Sequence, residues 1–298
     1  MQHPQAHQRQ LSDKKGTCMS TTVASVQFEP VFGAVDSNIE RMEKLTRESS
    51  AKGAKLVVFP ELCTSGYMFS SRSEAYAYAQ PANGETYRII QELCSQLGVY
   101  VVYGFPERSE GNALYNSAAL VGPTGLLGVY RKNHLWNEEA LYFEPGDKGF
   151  PVVNTEIGKL SMLICYDGWF PESFRECALG GADIICMPTN WVPIPGQREG
   201  EQAMATILAM SNAHENGLFV IAADRVGVER EQPFIGQSVI VDHTGWLLSG
   251  PASDQHEQIL YADIDSGTAR RQRCWNNFNT PLRDRRPDQY SRSVSRPI

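Results

Sequence analysis

A chain of 298 residues, 42% hydrophobic and 20% charged, is long enough to bury one large core or two small ones. Its formal net charge of -7 excludes a polyphosphate-binding scaffold, which needs a clustered surplus of Lys and Arg. No apolar run approaches the ~20 residues of a helical membrane span.

The first 20 residues, MQHPQAHQRQLSDKKGTCMS, are polar and lack the apolar stretch of a secretory signal. They read as a disordered lead, with Met19 as an alternative start. TVASVQF (22–28) then reads as a strand, and DSNIERMEKLTRESSAKG (36–53) as an amphipathic helix ending at a glycine. AKLVVFPE (54–61) is a strand, and GETYRIIQELCSQLG (84–98) is a helix closed by Gly98. VYVVYGFPE (99–107) is a further strand, and NSAALVGPTGLLGVYRK (116–132) a hairpin turned at Pro123-Thr124-Gly125.

The second half repeats this grammar. A hairpin arm at 159–165, a helix at about 171–181 and the strand ADIICMPTN (182–190) come first. The helix EGEQAMATILAMSNAHENG (199–217), the strand LFVIAADR (218–225) and the hairpin QSVIVDHTGWLLSG (237–250) follow. The two hairpins match: Asn116-Ser117 leads to Thr124-Gly125 much as Gln237-Ser238 leads to Thr244-Gly245. With no Pro/Gly/Ser-rich linker near the middle, one domain of two packed sheets is expected over 21–275.

Seven cysteines, at 18, 63, 94, 165, 177, 186 and 274, are odd in number and lack CxxC spacing, so reduced thiols of the cytoplasm are expected. The six histidines are scattered without zinc spacing, and no metal is expected. Three ionisable residues stand at equivalent places: Glu61 ends KLVVFPE, Lys132 ends LLGVYRK and Cys165 ends KLSMLIC. Singly, each has an ordinary role as a loop carboxylate, an edge charge or a buried thiol. Together, at the carboxyl ends of strands in an α/β fold, they make a set for acyl transfer. A carboxylate takes the thiol proton, the thiolate attacks a carbonyl or nitrile carbon, and the ammonium stabilises the negative charge. Pro171 suits the first turn of a helix, which would set the thiol near a helix N-terminus.

FPELCTSGY (59–67), YRKNHLWNEEALYFEPGD (130–147) and ICYDGWFPE (164–172) occur in order, and together they resemble the signature blocks of the nitrilase superfamily of carbon–nitrogen hydrolases. MPTNW (187–191), ADRVG (223–227) and DRRPDQY (284–290) extend the resemblance over about residues 22 to 290. It implies an α/β fold, a four-layer αββα sandwich of two mostly parallel or mixed sheets with pseudo-symmetric halves. It also implies the triad Glu61, Lys132 and Cys165, and a second glutamate matched by Glu139, with Glu138 as the neighbour that one residue of misalignment would select. Nothing in the blocks asks for a cofactor. The family's use of its C-terminal segment assigns 276–298 to a subunit interface, in a homodimer or a higher assembly.

Tyr67, Trp136, Trp169 and Trp191 lie close to these blocks and suggest a small apolar pocket, with Tyr166 and Asn190 beside them. Arg225 is the one basic residue placed to clamp a substrate carboxylate. Cys63, Cys94, Cys177 and Cys186 read as core. The expected partner is a small-molecule amide or nitrile, with no nucleic acid and no membrane. An amidase on a small aliphatic amide is the first expectation and Cys165-Tyr166-Asp167 its motif. A nitrilase is the alternative, an N-carbamoyl amine hydrolase the third, and a catalytically idle scaffold the reading outside enzymes.

Overall fold

The computed structural model describes residues 20–198 and 200–290. The expected polar lead, apart from Ser20, lies outside the described residues, as does the arm from 291 onward.

In the first half, β1 (Thr21–Gln27), α1 (Val35–Ala51), β2 (Leu56–Val58), α2 (Arg72–Tyr78), α3 (Glu85–Leu97) and β3 (Tyr100–Arg108) form a parallel three-stranded unit with helical crossovers. The hairpin β4 (Leu114–Gly122) and β5 (Gly125–Arg131) adds two antiparallel strands beyond β3. Side chains alternate along these strands. Leu56, Val58, Val102 and Leu120 turn into the core shared with the other sheet. Val57, Val101, Tyr103 and Val121 turn outward, onto Met42 of α1 and Ile90 and Cys94 of α3. Both faces are therefore covered, which is why the strands read as continuous apolar runs.

After the short α4 (Glu139–Tyr142), the second half repeats the plan. The strands are β6 (Val152–Thr155) and β7 (Gly158–Met162), then, past α5 (Pro171–Leu179), β8 (Ile184–Pro188), and past α6 (Met204–Asn216), β9 (Phe219–Ala223). A small two-stranded flap, β10 (Val228–Glu229) with β11 (Gln232–Pro233), precedes the hairpin β12 (Val239–Val241) and β13 (Leu247–Ser249). Finally β14 (Gln258–Ile264) returns to pair antiparallel with β1, and α7 (Ser266–Gln272) follows.

The two sheets run β14-β1-β2-β3-β4-β5 and β13-β12-β9-β8-β7-β6. Each holds three parallel strands, an antiparallel edge strand on the first of them and a bulged hairpin beyond the third, with register shifts at Leu120/Val121 and Ile240/Val241. This is the expected αββα sandwich with pseudo-symmetric halves.

Helix ends follow the sequence where it is explicit. Gly98 and Gly217 sit at φ of 63° and 62°, and their N–H groups close α3 and α6 on Cys94 and Ala213. The expected helix over 199–217 starts only at Met204, because the N–H groups of Ala203 and Met204 are taken by the side chains of Gln237 and Gln197. The expected strand 54–61 stops at Val58, since Pro60 has no N–H to extend the ladder. Residues 276–290 of the expected arm are mostly exposed, with Phe278 prominent.

Candidate active site

Glu61, Lys132 and Cys165 do not end strands in equal ways. Lys132 directly follows β5, whereas Glu61 lies in the turn beyond β2 and Cys165 opens a 3-10 turn (Cys165–Trp169) beyond β7. That turn separates the thiol from α5, so the expected placement at an α-helix N-terminus is corrected; Pro171 does occupy the first turn of α5. The Glu61 turn crosses β3 at Gly104, where an added Cβ would stand 2.4 Å from the Leu62 nitrogen and 2.6 Å from the Glu61 Cα. Only a glycine admits that approach. Each site loop also holds a non-glycine residue in the left-handed region: Leu62 (φ 46°), Asn137 (φ 49°) and Cys165 (φ 43°). Such backbone persists only where its surroundings over-determine it.

Lys132 is the centre of the cluster. Its Nζ donates to Glu61 Oε1 and to Glu139 Oε1, each at 2.7 Å, and the side chain is fully buried. Glu139, and not the exposed Glu138, meets the lysine. Tyr67 donates its hydroxyl to Glu139 Oε1 at 2.5 Å, and Asn116 donates Nδ2 to Glu61 Oε1 at 2.7 Å. The second oxygens, Glu61 Oε2 and Glu139 Oε2, are buried without a hydrogen-bond partner among the described residues. A buried carboxylate oxygen left without a partner costs about 1–3 kcal/mol, so the two leave the cluster with unused acceptors.

Burial pushes the Glu61 carboxyl up to about 7; Lys132 opposes that rise and the Glu139 charge adds to it. For Lys132, burial pulls downward, but the charges of Glu139 and Glu61 outweigh it and hold the ammonium above its usual range. Burial, then the Glu61 charge, raises the Cys165 thiol well above normal, while Lys132, the Thr189 hydroxyl and the Asn190 N–H pull it back. Glu61, Lys132 and Cys165 each shift the others, so their titration belongs to the cluster as a unit.

Cys165 opens onto a small pocket walled by Trp136, Tyr166, Trp169, Trp191 and Ile194, with Asn190 at its edge. Trp136 packs edge-on against Tyr166, ring centroids 4.9 Å apart. An adjoining pocket holds Tyr67, Glu138 and Glu139 and shares Trp136 and Val192 as a partition. The side chain of Asn190 donates to the Glu61 carbonyl at 2.9 Å and so also holds the carboxylate's own turn. Arg225 is not open to a substrate. It is buried and paired with Glu229 at 2.5 Å, and Glu229 in turn accepts the N–H groups of Tyr67 and Met68. Its role is to brace the Tyr67 loop.

Cys63, Cys94, Cys177 and Cys186 are buried, as expected of core thiols, and burial raises each of them. Among the described residues, no three His, Cys, Asp or Glu side chains gather as a metal site, and no helix is long and apolar enough to cross a membrane. Sequence reasoning missed Asn116, Thr189 and Glu229. Of these, Asn116 carried a signal as the start of the repeated hairpin, and Thr189 as the centre of MPTNW (187–191).

A family model described as carbon-nitrogen hydrolase matches residues 22–273. A protein of Pyrococcus abyssi named nitrilase is 42% identical over 271 residues, 91% of this chain and 99% of its own length. The N-carbamoylputrescine amidase of Arabidopsis thaliana is 34% identical over 298 aligned positions, covering 93% of this chain and 96% of that one. The crystal structure of a carbon-nitrogen hydrolase from Helicobacter pylori G27 superposes with a TM-score of 0.83 at 30% identity, covering 94% of this chain and all of that one.

Proposed function

The chain belongs to the carbon–nitrogen hydrolase family, and on that footing we propose that it hydrolyses a small uncharged aliphatic amide to ammonia and a carboxylate. The observation that carries the proposal is the unfinished coordination of the cluster. Lys132 spends two of its three N–H donors on Glu61 and Glu139, and Glu61 keeps Oε2 free. One open donor serves an oxyanion, and one open acceptor serves a proton.

In the proposed cycle Glu61 Oε2 takes the Cys165 proton as the sulfur attacks the amide carbon. The negative oxygen of the tetrahedral species accepts from Lys132 Nζ and the Tyr166 N–H. Glu61 returns the proton to the nitrogen, ammonia leaves, and a thioester remains on Cys165. Water then gives a proton to Glu61 and attacks the thioester. Collapse releases the carboxylate, and the thiol recovers its proton. An acid held near 7 suits this two-way traffic, since general acid–base groups work best with a pKa close to the operating pH. The pocket walls beside Cys165 carry no charged side chain, which favours a compact uncharged acyl group.

A nitrilase is the second reading, favoured by the name of the Pyrococcus relative. Ammonia release from matched pairs, each a small amide and the nitrile of the same carbon skeleton, with N-carbamoyl amines alongside, separates the readings. The amide should lead in kcat/KM. A tenfold lead for nitriles across several pairs, about 1.4 kcal/mol of transition-state preference, transfers the proposal to the nitrilase; leading carbamoyl compounds transfer it to that branch.

The two neighbouring glutamates offer a sharper check on roles. Glu139→Gln removes one of the two charges that orient Lys132, and should lower kcat by roughly ten- to a hundredfold. Glu138→Gln alters an exposed side chain and should stay within about twofold, in keeping with surface changes generally. Steady-state kinetics in which Glu138 proves the more sensitive would break this assignment.

A further inference from the structure

One carboxylate outside the cluster joins two of its loops. Asp167 is fully buried and accepts four hydrogen bonds. Its Oδ2 accepts from the Tyr130 hydroxyl at 2.7 Å and from the Ile164 N–H at 3.0 Å. Its Oδ1 accepts the His134 N–H at 3.1 Å and lies 2.7 Å from His134 Nδ1. A carboxylate can only accept, so Nδ1 is the ring nitrogen that bears the proton. The His134 ring in turn lies flat on Phe170, with centroids 3.7 Å apart and planes 10° from parallel.

The positions of these donors matter more than their number. Tyr130 and His134 stand two residues to either side of Lys132, while Ile164 directly precedes Cys165. Asp167 also donates its own N–H to the Ile164 carbonyl at 3.0 Å, closing the turn around Cys165. That turn holds Cys165 at a φ of 43°, a conformation an L-residue keeps only under constraint. The carboxylate is the shared anchor of the lysine segment and the strained cysteine turn.

We propose that Asp167 and His134 are positioning residues, a clasp that fixes the Cys165 turn against the Lys132 segment so that sulfur and ammonium keep their separation through both tetrahedral states. The inference rests on the roles assigned to Cys165 and Lys132 above. Neither clasp residue meets the reacting atoms, so loosening it should act on kcat and spare KM. Small misplacements of reacting groups, of about 1 Å, cost on the order of a hundredfold.

The test compares His134→Ala, His134→Asn, Tyr130→Phe and Asp167→Asn in the full chain, below the melting temperature of each, with rates normalised to folded protein. His134→Ala should lower kcat by about ten- to a hundredfold, with KM held within about twofold. His134→Asn should recover most of that loss, because its amide N–H can occupy the place of Nδ1–H. A general loss of stability would not follow this order once rates are normalised. Alkylation of Cys165 by iodoacetamide, which needs no substrate, should slow in the same sequence of variants. Parental kcat in His134→Ala, or no advantage of Asn over Ala, overturns the clasp. If Asp167→Asn does not fold, the two His134 variants decide. If the parent protein hydrolyses no carbon–nitrogen substrate, the proposed function fails, while the alkylation series still decides the clasp: slowing in Ala relieved in Asn supports it, and unchanged rates overturn it.

Discussion

Cys165→Ala is expected to abolish ammonia release, with a loss of roughly four to six decades, because no other group nearby can form the covalent intermediate. The fold should survive. The side chain removed is one sulfur at a pocket wall, and deleting one small buried group costs on the order of 1 kcal/mol. Cys63→Ala is the matched control. Cys63 lies two residues beyond Glu61, yet its Sγ contacts the Gly104 carbonyl at 3.4 Å and the Met42 sulfur at 3.8 Å, inside the core under the helices. Burial pushes that thiol up to about 12, with no ammonium among the causes of its shift, so it is inert. The measurement is ammonia release together with a thermal melt of both variants. Substantial turnover in Cys165→Ala, or a dead Cys63→Ala with an unchanged melt, would place the nucleophile elsewhere.

Glu61, Lys132 and Cys165 were legible in the sequence because each follows an apolar run, and a charged or thiol residue after such a run breaks its pattern. The meeting of the three rests on the order of strands in two sheets, which local pattern does not encode. Glu139 was legible only through its block: periodicity cannot tell it from Glu138, and the choice is made by α4, whose buried face holds Glu139 and Tyr142. The Asp167 clasp was invisible, since its partners at Tyr130 and His134 lie more than 30 residues earlier in the chain. Some local signals went unread. Ser71 accepts the Glu74 N–H and starts α2, and Glu74 reaches back to the Ser70 N–H, a spacing typical of helix N-termini. β14 had weaker grounds. Its alternation is loose, and its stability comes from pairing with β1, from Thr21 opposite Ile264 to Gln27 opposite Gln258. Arg225 failed for a related reason: an arginine after a strand looks available until Glu229, four residues on, is seen to bind it.

Lys132→Met should damage activity and stability together. The substitution keeps much of the buried stem but removes the charge that joins two carboxylates. Loss of the oxyanion donor should lower kcat by about two to three decades. Lys132→Arg should restore little, because a planar fork cannot place its donors where a compact ammonium did. Removing one partner of a buried ion pair costs about 3–5 kcal/mol, and here two acids are left facing each other. The pH dependence identifies the cause. Glu61 in the parent titrates near 7 against a reference of 4.5, so the folded state binds its proton more tightly than the unfolded chain does. The resulting destabilisation is absent at pH below about 4, grows as the pH rises towards 7, and is constant above. Lys132 acts against that rise, so without it the Glu61 carboxyl must move higher still. The stability gap between parent and variant should therefore widen from pH 6 to pH 9. The acid limb of kcat/KM, near 7 in the parent because Glu61 must be ionised to take the thiol proton, should move upward in the variant. Melts and pH–rate profiles of the two proteins measure both effects. A variant with parental kcat and an acid limb still near 7 would remove Lys132 from the mechanism and leave Glu61 without its electrostatic partner.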